Sequence, residues 1–269
     1  MKYLEKIKQY LSEPRLKNVD PDSDEMLRIH KEILSEKTMM KNVFSEFYDL
    51  CISLDKKFFN TTIVKRVEIG AGVSFFKERY PDILATDIKN ASNLDMVVDA
   101  QQMPFENNTV SAIYGINCFH HFPNPEKFFV ELNRVLETGG GCVLIEPYYG
   151  FVARNFYKNI FKTESFDLSQ LQWSNDSIGF MNGANQALSH IVFIRDKKKF
   201  EQLFPNLEIT YKRPLNNYLR YLLSGGLNFK QLLPSYLSWI IKVVEFVLRP
   251  FNTVFALHHV IVIKKVTKN

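Results

Sequence analysis

Val64-Lys-Arg-Val-Glu-Ile-Gly-Ala-Gly-Val-Ser74 reads as an apolar strand that runs into a glycine turn. Val64, Val67 and Ile69 suit a buried strand, and Gly70 and Gly72 let the backbone bend closely against a ligand. Ser74 is the expected N-cap of a helix over residues 75–80, whose first N–H groups would face the same ligand. A dinucleotide fingerprint requires a third glycine three positions after the second, where Phe75 stands. The acidic Glu68 inside the strand also suits NAD poorly. A tight turn without a ligand is the competing reading of these residues alone, so the sequence on either side has to decide.

Downstream, strand and helix alternate, which predicts a parallel sheet with helices on both faces. Residues 83–86 form a second strand ending in Asp87, and residues 96–98 a third ending in Asp99. Residues 110–116 form the fourth, 125–136 a helix and 142–145 the fifth, with Glu137-Thr-Gly-Gly-Gly141 between them as a helix stop and turn. Residues 195–204 read as a helix, 207–211 as a sixth strand and 255–266 as a seventh. Asp87 stands at a strand end, where a carboxylate accepts from ribose hydroxyls in any nucleoside-binding fold of this kind.

Glu68-x-Gly70-x-Gly72 resembles the first motif of class I S-adenosylmethionine-dependent methyltransferases, with Ser74 where that family often has a third glycine. Asp99-Ala-Gln-Gln-Met-Pro-Phe105 resembles its adenine-binding segment. Ser111-Ala-Ile-Tyr-Gly-Ile-Asn-Cys-Phe-His-His-Phe122 looks like its fourth strand and the loop beyond. Leu136-Glu-Thr-Gly-Gly-Gly-Cys-Val-Leu-Ile-Glu-Pro147 looks like its fifth strand with the approach to it. The resemblance covers residues 64–147. It implies a Rossmann-like α/β fold, a seven-stranded mostly parallel sheet whose last strand is antiparallel, and S-adenosylmethionine as cofactor. By the same resemblance Glu68, Gly70, Ala71, Gly72, Asp87, Ile88, Asp99, Ala100, Gln101 and Asn117 hold that cofactor, Asp99 accepting from the adenine amino group.

Transfer of a methyl group from a sulfonium is a direct displacement, so alignment is the main requirement and no covalent protein nucleophile is needed. A hydroxyl acceptor benefits from a base, and histidine is matched to neutral pH. His120 and His121 follow the fourth strand, and Glu146 ends the fifth. These three are the candidate catalytic residues, while loop stabilisation is the plain alternative for the histidine pair. No metal site is expected. A binding module that kept the fold without turnover is the rival of another class, and intact Glu68, Asp87 and Asp99 argue against it.

Residues 1–60 read as an N-terminal helical cap: a first helix using Leu4, Ile7 and Leu11, a second capped by Asp24, and a third over residues 37–54. Residues 61–269 form the methyltransferase domain, with substrate-side insertions at residues 148–190 and 215–251. The first insertion is aromatic and irregular, and its length marks it as functional. Asn182-Gly-Ala-Asn-Gln-Ala-Leu-Ser-His190 and Tyr221-Leu-Leu-Ser-Gly-Gly226 are similar to a subgroup associated with bacterial polysaccharide and surface-glycan synthesis. That similarity implies a glycan hydroxyl as acceptor, with Asn182, Asn185 and His190 as candidate sugar contacts. The alternative is a small-molecule or lipid acceptor methylated on nitrogen, oxygen or carbon.

In the second insertion, Tyr236, Leu237, Ile240, Ile241, Val244, Val247 and Leu248 share one broad helical face, with Ser238, Lys242, Glu245 and Arg249 opposite. Three readings stand for this helix: burial, a dimer contact, or an amphipathic helix resting on a membrane. Twenty-three phenylalanines and twelve tyrosines point to an aromatic cavity or an adhesive surface. The net charge of +5 is scattered rather than striped, so no nucleic-acid partner is expected. Cys51, Cys118 and Cys142 lack disulfide or zinc spacing, and no apolar run reaches the roughly 20 residues of a membrane span. A cytoplasmic location, free or at the inner membrane face, is the expectation; the oligomeric state stays open.

Overall fold

The strand–helix alternation builds a seven-stranded sheet in a computed structural model that describes residues 9–159, 164–175 and 183–267. In chain order the elements are α1 (Asp24–Glu36), α2 (Thr38–Phe58), β1 (Arg66–Ile69), α3 (Phe76–Arg79), β2 (Ile83–Asp87), β3 (Met96–Val97), β4 (Val110–Ile116) and α4 (Pro125–Val135). There follow β5 (Leu136–Pro147), α5 (Phe151–Asn159), α6 (Lys197–Leu203), β6 (Leu207–Pro214), α7 (Tyr218–Leu223), α8 (Ser238–Leu248), α9 (Asn252–Phe255) and β7 (His258–Lys265). The strand order is β3-β2-β1-β4-β5-β7-β6. β7 runs antiparallel to β5 and β6, and the other pairs are parallel.

Side chains of a strand alternate between the two faces, and here both faces are covered. Ile113 and Leu144 join Phe128, Phe129 and Phe200 in one core. Tyr114 and Val143 join Val43, Phe47 and Tyr48 of α2 in the other. α2 thus covers one face of the sheet directly. The expected first helix falls largely on residues 1–8, outside the described residues.

Local corrections have physical causes. Ser23, not Asp24, caps α1, its hydroxyl accepting from the Met26 N–H at 3.2 Å. Val64 lies outside β1 and is exposed. The glycine run expected as a turn is part of β5. A Cβ on Gly141 would stand 2.2 Å from the Phe59 ring and 2.4 Å from the Ile263 carbonyl oxygen. Gly139, at a φ of +90°, lies where the register with β4 shifts, whereas Gly141 serves close approach within the strand.

The largest correction concerns α8. Glu245, expected on the outer face, is fully buried, while Tyr236, Ile240, Val244 and Val247 are exposed. Glu245 accepts from the Arg220 backbone N–H at 2.8 Å and from Arg220 Nε at 2.6 Å. The two terminal nitrogens of Arg220 donate to Glu46 at 2.7 Å each, and Lys242 donates to Glu46 at 2.9 Å. Turning the helix to hide its apolar side would strip Arg220 of its partner, and breaking a buried pair costs about 3–5 kcal/mol. Among the described residues no helix is long and apolar enough to cross a membrane.

Gly141→Ala is expected to lower unfolding stability by about 1–3 kcal/mol through overpacking against Phe59 and β7. Urea denaturation reads this directly, and an unchanged midpoint would contradict the close-approach account.

Candidate active site

β1, β2 and β4 end at the same edge of the sheet, where ligands of open α/β folds bind. Gly70 and Gly72 adopt φ of +62° and +50°. A Cβ on Gly70 would lie 2.4 Å from Cys118 Cβ, so the turn and the loop after β4 are pressed together. The Gly72 N–H donates to Asp87 Oδ2 at 2.8 Å, and the Lys89 N–H donates to Oδ1 at 2.9 Å. Asp87 therefore ties the glycine turn to β2 and keeps a lone pair on each oxygen for a ligand. Asp99 Oδ1 accepts from the Gln101 N–H at 2.8 Å. Ser74 stands one residue before the cap position of α3, yet its hydroxyl accepts from the Phe76 N–H at 3.0 Å.

Every residue expected to hold the cofactor lines a single cavity of about 1220 Å³. Two buried acceptors in its wall, Glu68 Oε2 and Asn117 Oδ1, have no hydrogen-bond partner among the described residues. Burial pushes the Glu68 pKa up to about 8; a Ser74 hydrogen bond opposes this and the Asp87 charge adds to it. Asn117 takes a left-handed φ of +52° at the end of β4, a conformation asparagine tolerates better than most residues. Unpaired buried acceptors are costly, so a ligand rich in N–H or O–H donors fits this end of the cavity. The ammonium and hydroxyl groups of S-adenosylmethionine are such donors.

The loop beyond β4 is organised by Glu146. Its carboxylate is wholly buried and accepts from the N–H groups of Cys118, Phe119 and His120 at 3.0, 2.9 and 3.3 Å. It also accepts from His120 Nδ1 at 2.6 Å. On the other side His120 Nε2 lies 3.2 Å from Glu164 Oε2, and Gln186 Nε2 donates to the same oxygen at 2.8 Å. Burial opposes charge on His120, but the Glu146 charge and hydrogen bond, joined by Glu164, hold its pKa up to about 10. Glu164 is lowered to about 2: burial raises it, and the His120 hydrogen bond and charge overcome that. His120 is therefore an imidazolium clamped between two carboxylates, with no lone pair for a substrate proton. Glu146 does not reach the cavity wall. Of the three candidate catalytic residues, His120 and His121 line the cavity, their rings 4.2 Å apart.

Residues missed by sequence reasoning complete the wall. Glu164 sits in the irregular stretch after β5, where no periodicity singles it out. His258 opens β7 directly opposite Pro147, at the cavity edge. Its pKa falls to about 3 through burial and the nearby His120 charge, so it is a neutral imidazole. His120, His121 and Glu164 bring ligand-type atoms within 4.8 Å of one another, but both His120 ring nitrogens already face carboxylates. The N-terminal helices contribute Leu27, Met40, Phe44 and Tyr48, so they do border the site.

Two of the glycan candidates, Asn185 and His190, lie elsewhere. Asn185 spends its amide on the insertion itself, accepting from the Asp167 and Ala187 N–H groups and donating to Asp167 O and Gln170 Oε1. His190 packs on Tyr149 at 4.3 Å, away from the cavity wall. Asn182 falls outside the described residues.

Comparison with known proteins agrees with this architecture. Residues 68–144 match a family described as "Methyltransferase domain". A sterol 4-C-methyltransferase of Caenorhabditis elegans is 30% identical over 79 residues, 29% of this chain and 22% of that protein. The chain thus spans about a fifth of the length of the curated relative it matches. Among solved structures, geranyl diphosphate C-methyltransferase from Streptomyces coelicolor A3(2) covers 99% of both chains at 13% identity and a TM-score of 0.47. Phosphoethanolamine N-methyltransferase 2 of Haemonchus contortus covers 81% of this chain and 53% of its own at 11% identity and a TM-score of 0.43. Residues 68–144 thus match a methyltransferase domain, and the sheet they belong to, with the order β3-β2-β1-β4-β5-β7-β6 and β7 antiparallel, is Rossmann-like.

The His120 clamp has a pH signature. The raised His120 pKa contributes stability fully below its unfolded value of about 6.5, and the contribution fades as pH rises toward about 10. The lowered Glu164 pKa contributes above its unfolded value near 4.3, and the contribution fades as pH falls toward about 2. The stability difference between wild type and His120→Gln should therefore peak between about pH 4.5 and 6.5 and shrink on both sides. Urea titrations from pH 4 to 9.5 measure it; a flat difference would contradict the charged clamp.

Proposed function

We propose that the chain is an S-adenosylmethionine-dependent methyltransferase whose acceptor has an apolar body. The observation that carries this reading is one continuous cavity whose lining includes both the cofactor-binding strand ends and many apolar side chains. Among the latter are Phe44, Phe151, Phe156, Leu222 and Phe229. At about 1220 Å³ it exceeds the roughly 300–1,000 Å³ of a pocket for one drug-sized ligand, which suits two molecules held side by side.

S-adenosylmethionine, when bound, supplies an electrophilic methyl group on a sulfonium. The protein's part is to align and enclose. Asp99 and Asp87 take the adenine and ribose ends, and Glu68 and Asn117 accept from the amino-acid end. The Glu146 hydrogen bonds fix the loop carrying His121, which takes the acceptor's proton at a ring nitrogen. Neutral His258 offers a hydrogen bond without competing for that proton.

The glycan acceptor draws its support from sequence similarity alone, since neither Asn185 nor His190 lines the cavity. The lining favours the alternative, a lipid or small apolar molecule, and the partial relative that methylates sterols is in keeping with it.

Calorimetric titration with S-adenosylhomocysteine should give saturable binding, lost in Gly72→Val and weakened about ten-fold or more in Asp99→Ala. Absence of binding to the wild type would remove the reading. His121→Ala should lower kcat for a hydroxyl acceptor by about 10²–10⁴ while leaving S-adenosylhomocysteine affinity unchanged. An unaltered rate and pH profile would strip His121 of the base role.

A further inference from the structure

α8 presents its apolar side to solvent although the chain has the ionic groups to hide it. Of its eleven residues only Ile241 and Glu245 are buried. Trp239 and Phe246 are 68% and 69% exposed, and Val243 and Val247 are exposed beside them. The exposed surface continues through Phe251 into α9, which packs against α5, where Phe151 is also exposed. Large contiguous apolar surface on a folded chain marks an interaction site. The buried Arg220–Glu245 pair fixes the helix in this orientation, so the exposure is built into the fold.

Charge identifies the occupant. Between residues 221 and 259 the charged residues are Lys230, Lys242, Glu245 and Arg249. The one acid of the stretch is buried and Lys242 is paired with Glu46, which leaves Arg249, exposed one residue beyond α8, as the cation beside the apolar face. A second copy would fit poorly, because a two-fold contact sets the same surface against itself and brings like charges together. An anionic phospholipid surface offers the complement: apolar depth for tryptophan and phenylalanine, and phosphates for Arg249.

We infer that the face formed by α8, α9 and the exposed end of α5 docks on an anionic phospholipid membrane. Phe151 and Leu232, both exposed, also line the cavity, so the docked face holds that part of the lining at the lipid. An apolar acceptor then enters from the bilayer instead of from water. That consequence rests on the methyltransferase reading, whereas docking itself does not.

The test is sedimentation of the full chain with vesicles of phosphatidylcholine alone and of phosphatidylcholine with phosphatidylglycerol. The wild type should sediment with the anionic vesicles, less so at high salt. Trp239→Ser/Phe246→Ser should weaken that binding about ten-fold or more while retaining wild-type affinity for S-adenosylhomocysteine, which certifies the fold. Arg249→Glu should weaken binding to the anionic vesicles. Failure of the wild type to sediment with either vesicle overturns the proposal, as does a dimer in sedimentation velocity that the double substitution dissociates. Either outcome leaves cofactor binding, and with it the methyltransferase reading, intact.

Discussion

The site depends on one buried carboxylate. Glu146 accepts three consecutive backbone N–H groups and the His120 ring, and so converts the chain after β4 from a loop into a fixed wall. Each N–H left unpaired in that dry environment would cost about 1–3 kcal/mol. Cys118, positioned by these bonds, packs where a side chain at Gly70 would otherwise stand. The glycine turn, the Asn117 kink and the His121 ring are all located relative to this anchor. The imidazolium at His120 supplies the charge that lets two carboxylates share the interior.

A second ionic cluster, buried at Arg220 and Glu245, shapes the far side. Glu245, Arg220, Glu46 and Lys242 satisfy one another across α8, α7 and α2. The same cluster that joins the N-terminal helices to the second insertion turns the apolar side of α8 outward. Fold stability and surface character are therefore set by the same four side chains.

The sheet was legible in the sequence because its signals are local. Apolar runs of β-branched residues mark β1, β2, β4 and β7, and glycine or aspartate at their ends marks the ligand edge. The residues expected to hold the cofactor gather at one edge for the same reason, since each lies within a few positions of a strand terminus. What stayed hidden depends on pairing between distant segments. Periodicity places Glu245 outside because it registers hydrophobicity and not the arginine twenty-five residues earlier that draws the carboxylate in. Glu164 lies in an aromatic stretch without period, and only the fold brings it to His120. The Gly139–Gly141 run looked like a turn because glycine signals both chain reversal and close packing, and sequence alone does not separate them.

The proposed function requires the cofactor to lie at Glu68, Asp87, Asp99 and Asn117, with the acceptor against the apolar part of the same cavity lining. A crystal structure of the chain with S-adenosylhomocysteine tests this most directly. The account predicts adenine beside Asp99, ribose hydroxyls on Asp87, and the amino group within hydrogen-bonding reach of Glu68 or Asn117, with the thioether sulfur facing His121. Density for the ligand against the apolar part of the lining, or outside the cavity, would contradict it.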